Sequence, residues 1–261
     1  MKTITETKPE EGRKENQQPE ETAPRLFGGR TNVTLRTAVL LVLLILVLFT
    51  AVRFQLWKLP EQEKRPLVLV NPWNPVSETN YRPRLKEIDE GFLADSDCAD
   101  AAGHLLADCR AAGCRPRILS AYRSVDDQLM LYDEEVQRLV DEGTLPEQAE
   151  SEVARKIAAP GRSEHELGLA LDLVDESYPE MSDRQAQTDT ARWLKENAWR
   201  YGFILRCPED AEAETGYVWH PWHYRYVGED AAGNIHSLGI TLEEYLSMFF
   251  SEEAAVVYDK S

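Results

Sequence analysis

The first pattern along the chain is a stretch where periodicity disappears. From Thr37 to Val52 the sequence TAVLLVLLILVLFTAV carries no charge and is apolar on every helical face. With Phe54, Leu56 and Trp57 the run reaches about 20 residues, the length that crosses a bilayer core. Arg25, Arg30 and Arg36 flank it on one side, Arg53 and Lys58 on the other. No small-x-small cleavage site follows, which argues against a removable leader. Residues 37–57 are therefore predicted to form one transmembrane signal anchor in the lipid bilayer. The short tail stays in the cytoplasm and the bulk of the chain is extracytoplasmic, giving a single-pass protein of the cell membrane. Residues 1–36, rich in Glu, Lys, Thr, Gln and Pro, have little to bury and read as a disordered cytoplasmic tail. Residues 58–66 read as a charged linker, 67–250 as the folded domain and 251–261 as a C-terminal tail.

Within the domain the hydrophobic period alternates between helix and strand. Leu67–Asn71 is a short β-rich run, closed by Pro72 and Pro75. Asp95 to Gly113 predicts a helix striped by Ala102, Leu105, Leu106 and Cys109. Arg117–Tyr122 predicts a strand, and Ser124 caps a helix to about Glu142 that buries Leu129, Tyr132, Val136 and Leu139. Pro146 opens another helix to about Ala158. The second half of Ser163–Val174 alternates like an internal strand. Asp189–Tyr201 predicts a helix stopped by Gly202, Phe203–Arg206 a strand, and Tyr217–Val227 two more short strands. Thr241–Glu244 is a capping box for a last helix carrying Leu242, Tyr245, Leu246 and Phe249. The fold class is α+β, with a small, mainly antiparallel sheet and flanking helices.

Charge narrows the partners. The chain carries -17 overall, yet residues 1–60 hold nine basic and six acidic residues, so the remainder holds 20 basic and 40 acidic. A domain so acidic repels phosphate backbones, and nucleic acid is excluded as a partner. The four cysteines, Cys98, Cys109, Cys114 and Cys207, could be free buried thiols or, outside the cytoplasm, disulfides. Cys98 and Cys109 lie on one predicted helix about 16 Å apart, too far to bridge. No CxxC is present, which argues against a structural zinc site.

Three segments carry candidate chemistry. Thr215–Gly228 packs His220 and His223 among two Trp and three Tyr, surroundings that lock ligand rotamers. Ser163–Asp172 adds His165 and Asp172. Two imidazoles and a carboxylate would hold zinc and leave a fourth position open, as catalytic zinc sites require. Ser120–Ser124 sets Arg123 at a strand end, where a guanidinium can hold an oxyanion or a carboxylate.

Together the three segments resemble the VanY-like D-alanyl-D-alanine carboxypeptidases, zinc peptidases with a hedgehog-type α+β fold. The family pattern S-x-H-x-x-G-x-A-x-D is matched by Ser163, His165, Gly168, Ala170 and Asp172. Its S-G/A-Y-R-S segment is matched by Ser120 to Ser124, with Gln128 following. Its E-P-W-H-x-R-Y-V-G segment is matched from Pro221 to Gly228 at Trp222, His223, Arg225, Tyr226 and Val227. Leu67–Asn71 and Asn74-Pro75 resemble the family's opening strand. The resemblance implies Zn2+ held by His165, Asp172 and His223, with Arg123 stabilising the oxyanion or gripping the substrate. It also implies that Ser163 and Gln128 help bind the terminal carboxylate. The expected substrates are peptidoglycan stem peptides ending in D-alanine.

One position departs from the pattern. Where the family places its catalytic Glu, three residues before the last ligand, this chain has His220. A neutral imidazole can accept and return a proton, so His220 is the candidate base. An imidazole could also fill the open metal position and suppress hydrolysis. Three readings follow: a D,D-carboxypeptidase, an L,D-carboxypeptidase acting on tetrapeptide stems, and a zinc-binding pseudoenzyme that recognises muropeptides.

Overall fold

The computed structural model describes residues 35–57, 65–89 and 91–250. Leu35–Trp57 forms a 23-residue helix, α1, whose side chains are described over residues 37–51. Among the described residues no helix is long and apolar enough to cross a membrane. The predicted tails, and the predicted linker up to residue 64, lie outside the described residues.

The rest of the description concerns residues 65–250. A two-stranded antiparallel hairpin, β1 (Leu85–Glu87) and β2 (Leu93–Asp95), leads into α2 (Ser96–Ala111). Asp95 caps α2 by accepting from the Asp97 amide. Then come β3 (Pro116–Ser120), α3 (Val125–Asp141) and α4 (Pro146–Ala154). A 3-10 turn over Glu164–Leu167 enters β4 (Ala170–Asp175), followed by α5 (Asp189–Asn197) and β5 (Phe203–Cys207). A one-turn helix, α6 (Glu212–Thr215), precedes β6 (His220–Tyr226), α7 (Glu229–Leu238) and α8 (Leu242–Phe249). The main sheet has the order β3-β4-β6-β5 with every neighbouring pair antiparallel. This is the α+β class expected.

The caps explain why several boundaries match. Ser124 accepts from the Asp127 amide at the start of α3, and Thr241 and Glu244 form the reciprocal capping box of α8. The main core packs Leu105, Leu106, Ile118, Leu171, Leu194 and Phe203 around the sheet. Full burial of each such side chain contributes roughly 1.5–3 kcal/mol. A second cluster joins Leu67 and Val227 to Ile235, Leu242 and Tyr245.

Four expectations are corrected. Among the described residues Leu67–Asn71 joins no strand; Leu67 ends a 3-10 turn that starts at Arg65, and Asn71 bridges to Asn74. Arg65 is already anchored there, donating to Asp97 and Asp95, each at 2.6 Å. Leu129 is exposed, because only the Leu139 end of α3 is roofed by Ala149 and Val153 of α4. The helix opened by Pro146 ends at Ala154. Tyr217–Val227 contains one strand, β6, interrupted by an irregularity rather than split in two. All four cysteines are free, with Cys98, Cys109 and Cys207 buried.

Gly168 shows why the local sequence is so constrained. It closes the 3-10 turn at φ 70°, and its carbonyl accepts from the Asp95 amide at 2.8 Å. A Cβ at this position would lie 2.8 Å from the Asp95 nitrogen, a backbone atom with no room to yield. Gly168→Ala is expected to cost about 1–3 kcal/mol from the left-handed backbone alone, with the clash in addition. Chemical denaturation checks this; an unchanged midpoint would show that β2 and the turn are not held this closely.

Candidate metal centre and substrate cavity

Sheet register brings the candidate ligands together. Asp172 on β4 stands directly opposite His223 on β6, and Ser120 on β3 stands opposite Asp172 from the other side. Irregularities interrupt the β3–β4 register between Ile118 and Ser120 and the β5–β6 register between Leu205 and Cys207. In an unbroken strand, residues three apart face opposite sides. Leu205 pairs with Tyr224 and Cys207 with His220, so β6 advances four residues while β5 advances two. Such a bulge re-aims side chains, and His220 and His223 both line one cavity.

The donor set suits a divalent cation. One ligand atom from each of His165, Asp172 and His223 lies within 4.8 Å of the others. Two nitrogens and a carboxylate oxygen are the donors that catalytic zinc favours, with a fourth position left over. His165 Nε2 lies 3.2 Å from Asp172 Oδ2, and His223 Nδ1 lies 2.9 Å from Asp172 Oδ1. Behind them, His165 Nδ1 lies 2.6 Å from the Ala121 carbonyl oxygen and His223 Nε2 lies 3.3 Å from Glu164 Oε2. Both rings thus have a partner on the side away from Asp172, the arrangement that orients metal-binding histidines.

Electrostatics follow from burial opposed by partners. Burial alone would raise the Asp172 carboxyl, but His165 and His223 hold it well below the usual range. Burial would lower His223, yet its hydrogen bonds to Asp172 and Glu164 raise it to about 9. His220 moves the other way: burial first, then repulsion from His223, bring it to about 4 against the pull of Asp172. Its ring stacks on Trp222 with centroids 5.0 Å apart. His220 is therefore a neutral imidazole at physiological pH, held by an aromatic wall.

The remaining predicted residues line the same cavity of about 750 Å³, together with Tyr217, Trp219 and Trp222. Arg123 donates to Gln128 Oε1 at 2.7 Å and to the Ser120 hydroxyl at 2.6 Å. Gln128 spends its amide nitrogen on the Ala158 carbonyl at 2.6 Å, so in this state it orients Arg123. Ser163 caps the 3-10 turn by accepting from the His165 amide at 3.3 Å. Burial lowers the Arg123 pKa, Asp172 opposing; a guanidinium so poorly hydrated has much to gain from an incoming carboxylate. Glu166, beside His165, accepts from the Gly161 amide at 2.8 Å and lines no part of the cavity.

The sequence motifs give Glu164 no role, although it stands next to His165. It is buried with Arg206 and Arg225, which outweigh desolvation and hold its carboxyl well below the usual range. The signal was an acidic residue inside a motif otherwise explained. What it pairs with could not be read from that motif.

Comparison with known proteins agrees with this geometry. Residues 92–229 match the family model VanY, D-alanyl-D-alanine carboxypeptidase. A D-alanyl-D-alanine carboxypeptidase of Enterococcus faecalis is 36% identical over 187 residues, covering 72% of this chain and 68% of that protein. Two solved VanY structures superpose with a TM-score of 0.63. One is VanYB in complex with D-alanine-D-alanine, 38% identical over 69% of this chain and 97% of that one. The other is a mutant D,D-pentapeptidase VanY with Zn(II), 37% identical over 70% of this chain and 99% of that one. The LdcB LD-carboxypeptidase follows at 33% identity and a TM-score of 0.60, over 69% of this chain and 85% of that one. With a sheet that pairs Asp172 against His223 and a family match spanning both, the chain belongs to the VanY family of D-alanyl-D-alanine carboxypeptidases and is a zinc metallopeptidase of that kind.

Proposed function

We propose that this protein is a membrane-anchored D,D-carboxypeptidase that removes the C-terminal D-alanine of peptidoglycan stem peptides. The observation that carries the reading is the shared cavity: a His165–Asp172–His223 cradle with Arg123 on the same wall. Zinc, when held by those three side chains, supplies a Lewis acid that activates water and polarises a carbonyl. The chain's own residues do the rest. Arg123, braced by Gln128 and Ser120, grips the terminal carboxylate or the developing oxyanion, and the Ser163 hydroxyl adds a polar contact beside it. Trp219, Trp222 and Tyr217 flank the peptide and keep water away. His220 takes a proton from the attacking water at an imidazole nitrogen and returns it to the departing amine of D-alanine. The peptide C–N bond breaks, and water's hydrogen and hydroxyl are divided between the two products.

Anchoring is supported by the uncharged run from Thr37 to Val52 and by ten consecutive large apolar side chains, Val39 to Leu48, each about half exposed along α1. A helix that displays such a surface is suited to lipid. The expected location is the cell membrane, with the domain outside the cytoplasm.

A second reading, an L,D-carboxypeptidase acting on tetrapeptide stems, is favoured by the likeness to the LdcB LD-carboxypeptidase. Incubating the purified full chain and zinc with pentapeptide and tetrapeptide muropeptides separates the two. D-alanine released from pentapeptide alone supports the D,D assignment, and release from tetrapeptide alone replaces it. Silence on both, with retained peptide binding, would identify a zinc-bound recognition protein.

A further inference from the structure

The charge cluster behind the metal cradle has a geometry that packing alone does not require. Glu164 divides its two oxygens between different tasks. Oε1 accepts from Arg206 Nε at 2.8 Å and from Arg225 Nη1 at 2.6 Å. Oε2 faces His223 Nε2 at 3.3 Å, while the other ring nitrogen of His223 faces Asp172. A carboxylate flanked by two guanidinium groups can only accept, so the ring must present an N–H at Nε2. Without metal, Nδ1 likewise faces a carboxylate and donates to Asp172; a metal that takes the place of that proton finds the lone pair on Nδ1, because Glu164 holds the N–H at Nε2.

We infer that Glu164 is a positioning residue of the metal centre, fixing the tautomer and ring angle of His223 so that Nδ1 is the donor offered to zinc. Arg206 and Arg225 aim the carboxylate and are themselves held from elsewhere. Arg206 also donates to Glu243 of α8 at 3.0 and 2.5 Å, and Glu243 accepts from Asn71 at 3.0 Å. Arg225 donates to the carbonyls of Pro66 and Val68, each at 2.8 Å. Four ionised side chains, two of each sign, thus tie the orientation of one metal ligand to residues 66–71 and to α8. Second-sphere carboxylates of this type typically contribute 10–100-fold to metal affinity.

The inference rests on the assignment of His165, Asp172 and His223 as zinc ligands, and its test separates the two. Long-range proton–nitrogen correlation spectra of the zinc-loaded, nitrogen-15 histidine-labelled full chain report the His223 tautomer directly. A proton on Nε2 with a bare, metal-shifted Nδ1 is the expected result. A proton on Nδ1 overturns the role of Glu164 while leaving the ligand set intact. A wild type that takes up no zinc overturns the ligand set and this inference with it. Glu164→Asp and Glu164→Gln, shown to be folded by circular dichroism, are expected to weaken zinc binding by ~10–100-fold in chelator competition. Affinity within twofold of wild type in either folded variant would reduce the cluster to a packing device. Because the spectra use unaltered protein, a variant that fails to fold leaves the tautomer as the deciding result.

Discussion

Replacing His223 with Ala is expected to leave a folded protein that no longer holds one equivalent of zinc and releases no D-alanine. The cradle has three protein donors, His165, Asp172 and His223; removing one leaves two, fewer than structural or catalytic zinc sites use. The loss does not stop at the missing bond. Asp172 then keeps one imidazole partner instead of two, and Glu164 loses its contact with Nε2 while retaining Arg206 and Arg225. Because those two ion pairs persist, the buried carboxylate stays compensated and the fold is expected to survive. Metal analysis after dialysis decides the matter, with the melting curve of the metal-free protein as the control. Full retention of zinc by a folded His223→Ala protein would refute the ligand set, whatever happened to activity.

What could be read from sequence divides along the range of the interactions involved. The caps at Ser124 and Thr241 act across three residues, and both are found where the local pattern places them. The hairpin of β1 and β2 is short and largely exposed, so it carries no strong hydrophobic alternation to betray it. Helix α7 begins after Gly228 without a side-chain cap, which removes the signal that marked α3 and α8. Leu67–Asn71 has the composition of a strand and packs Val68 and Val70 into the core beside the sheet, but the Val68 carbonyl accepts from the Arg225 guanidinium rather than from a strand amide. Leu129 belongs to a helical stripe that periodicity cannot distinguish from a buried one, and only the position of α4 decides that it stays exposed.

The site shows the same division. His165, Asp172, His223 and Arg123 came through a three-segment resemblance, and the structure collects them in one cavity. Glu164 did not, since its partners Arg206 and Arg225 lie 42 and 61 residues further on. A buried carboxylate surrounded by such distant counter-charges looks, in sequence, like one more acidic residue in an acidic chain. Nor could spacing alone set His220 and His223 on one wall, because strand alternation argues the opposite. The irregular pairing of β6 with β5 supplies what alternation denies, and it depends on two strands meeting.

Replacing His220 with Glu is expected to raise turnover by up to ~10²-fold, the lower end of what a well-placed general base contributes. The two side chains differ less in basicity than in the charge of the protonated form. Burial and His223 already bring His220 to about 4, close to an ordinary carboxylate. Protonated imidazole is a cation beside a divalent metal, whereas protonated Glu is neutral, so the carboxylate can accept the proton with no repulsive penalty. The cation beside it lowers the imidazole further, and the stage of the reaction that needs a proton on residue 220 becomes the costly one. His220→Ala completes the comparison: it should fall below wild type if the imidazole is the acceptor. Zinc stoichiometry must be equal in all three proteins for the rates to be read this way. Equal turnover in wild type, Glu and Ala proteins would mean that position 220 does not move the proton. A rise in the Ala protein would mean instead that the imidazole blocks the open metal position, and relief of that block, not restored basicity, would explain any gain from Glu.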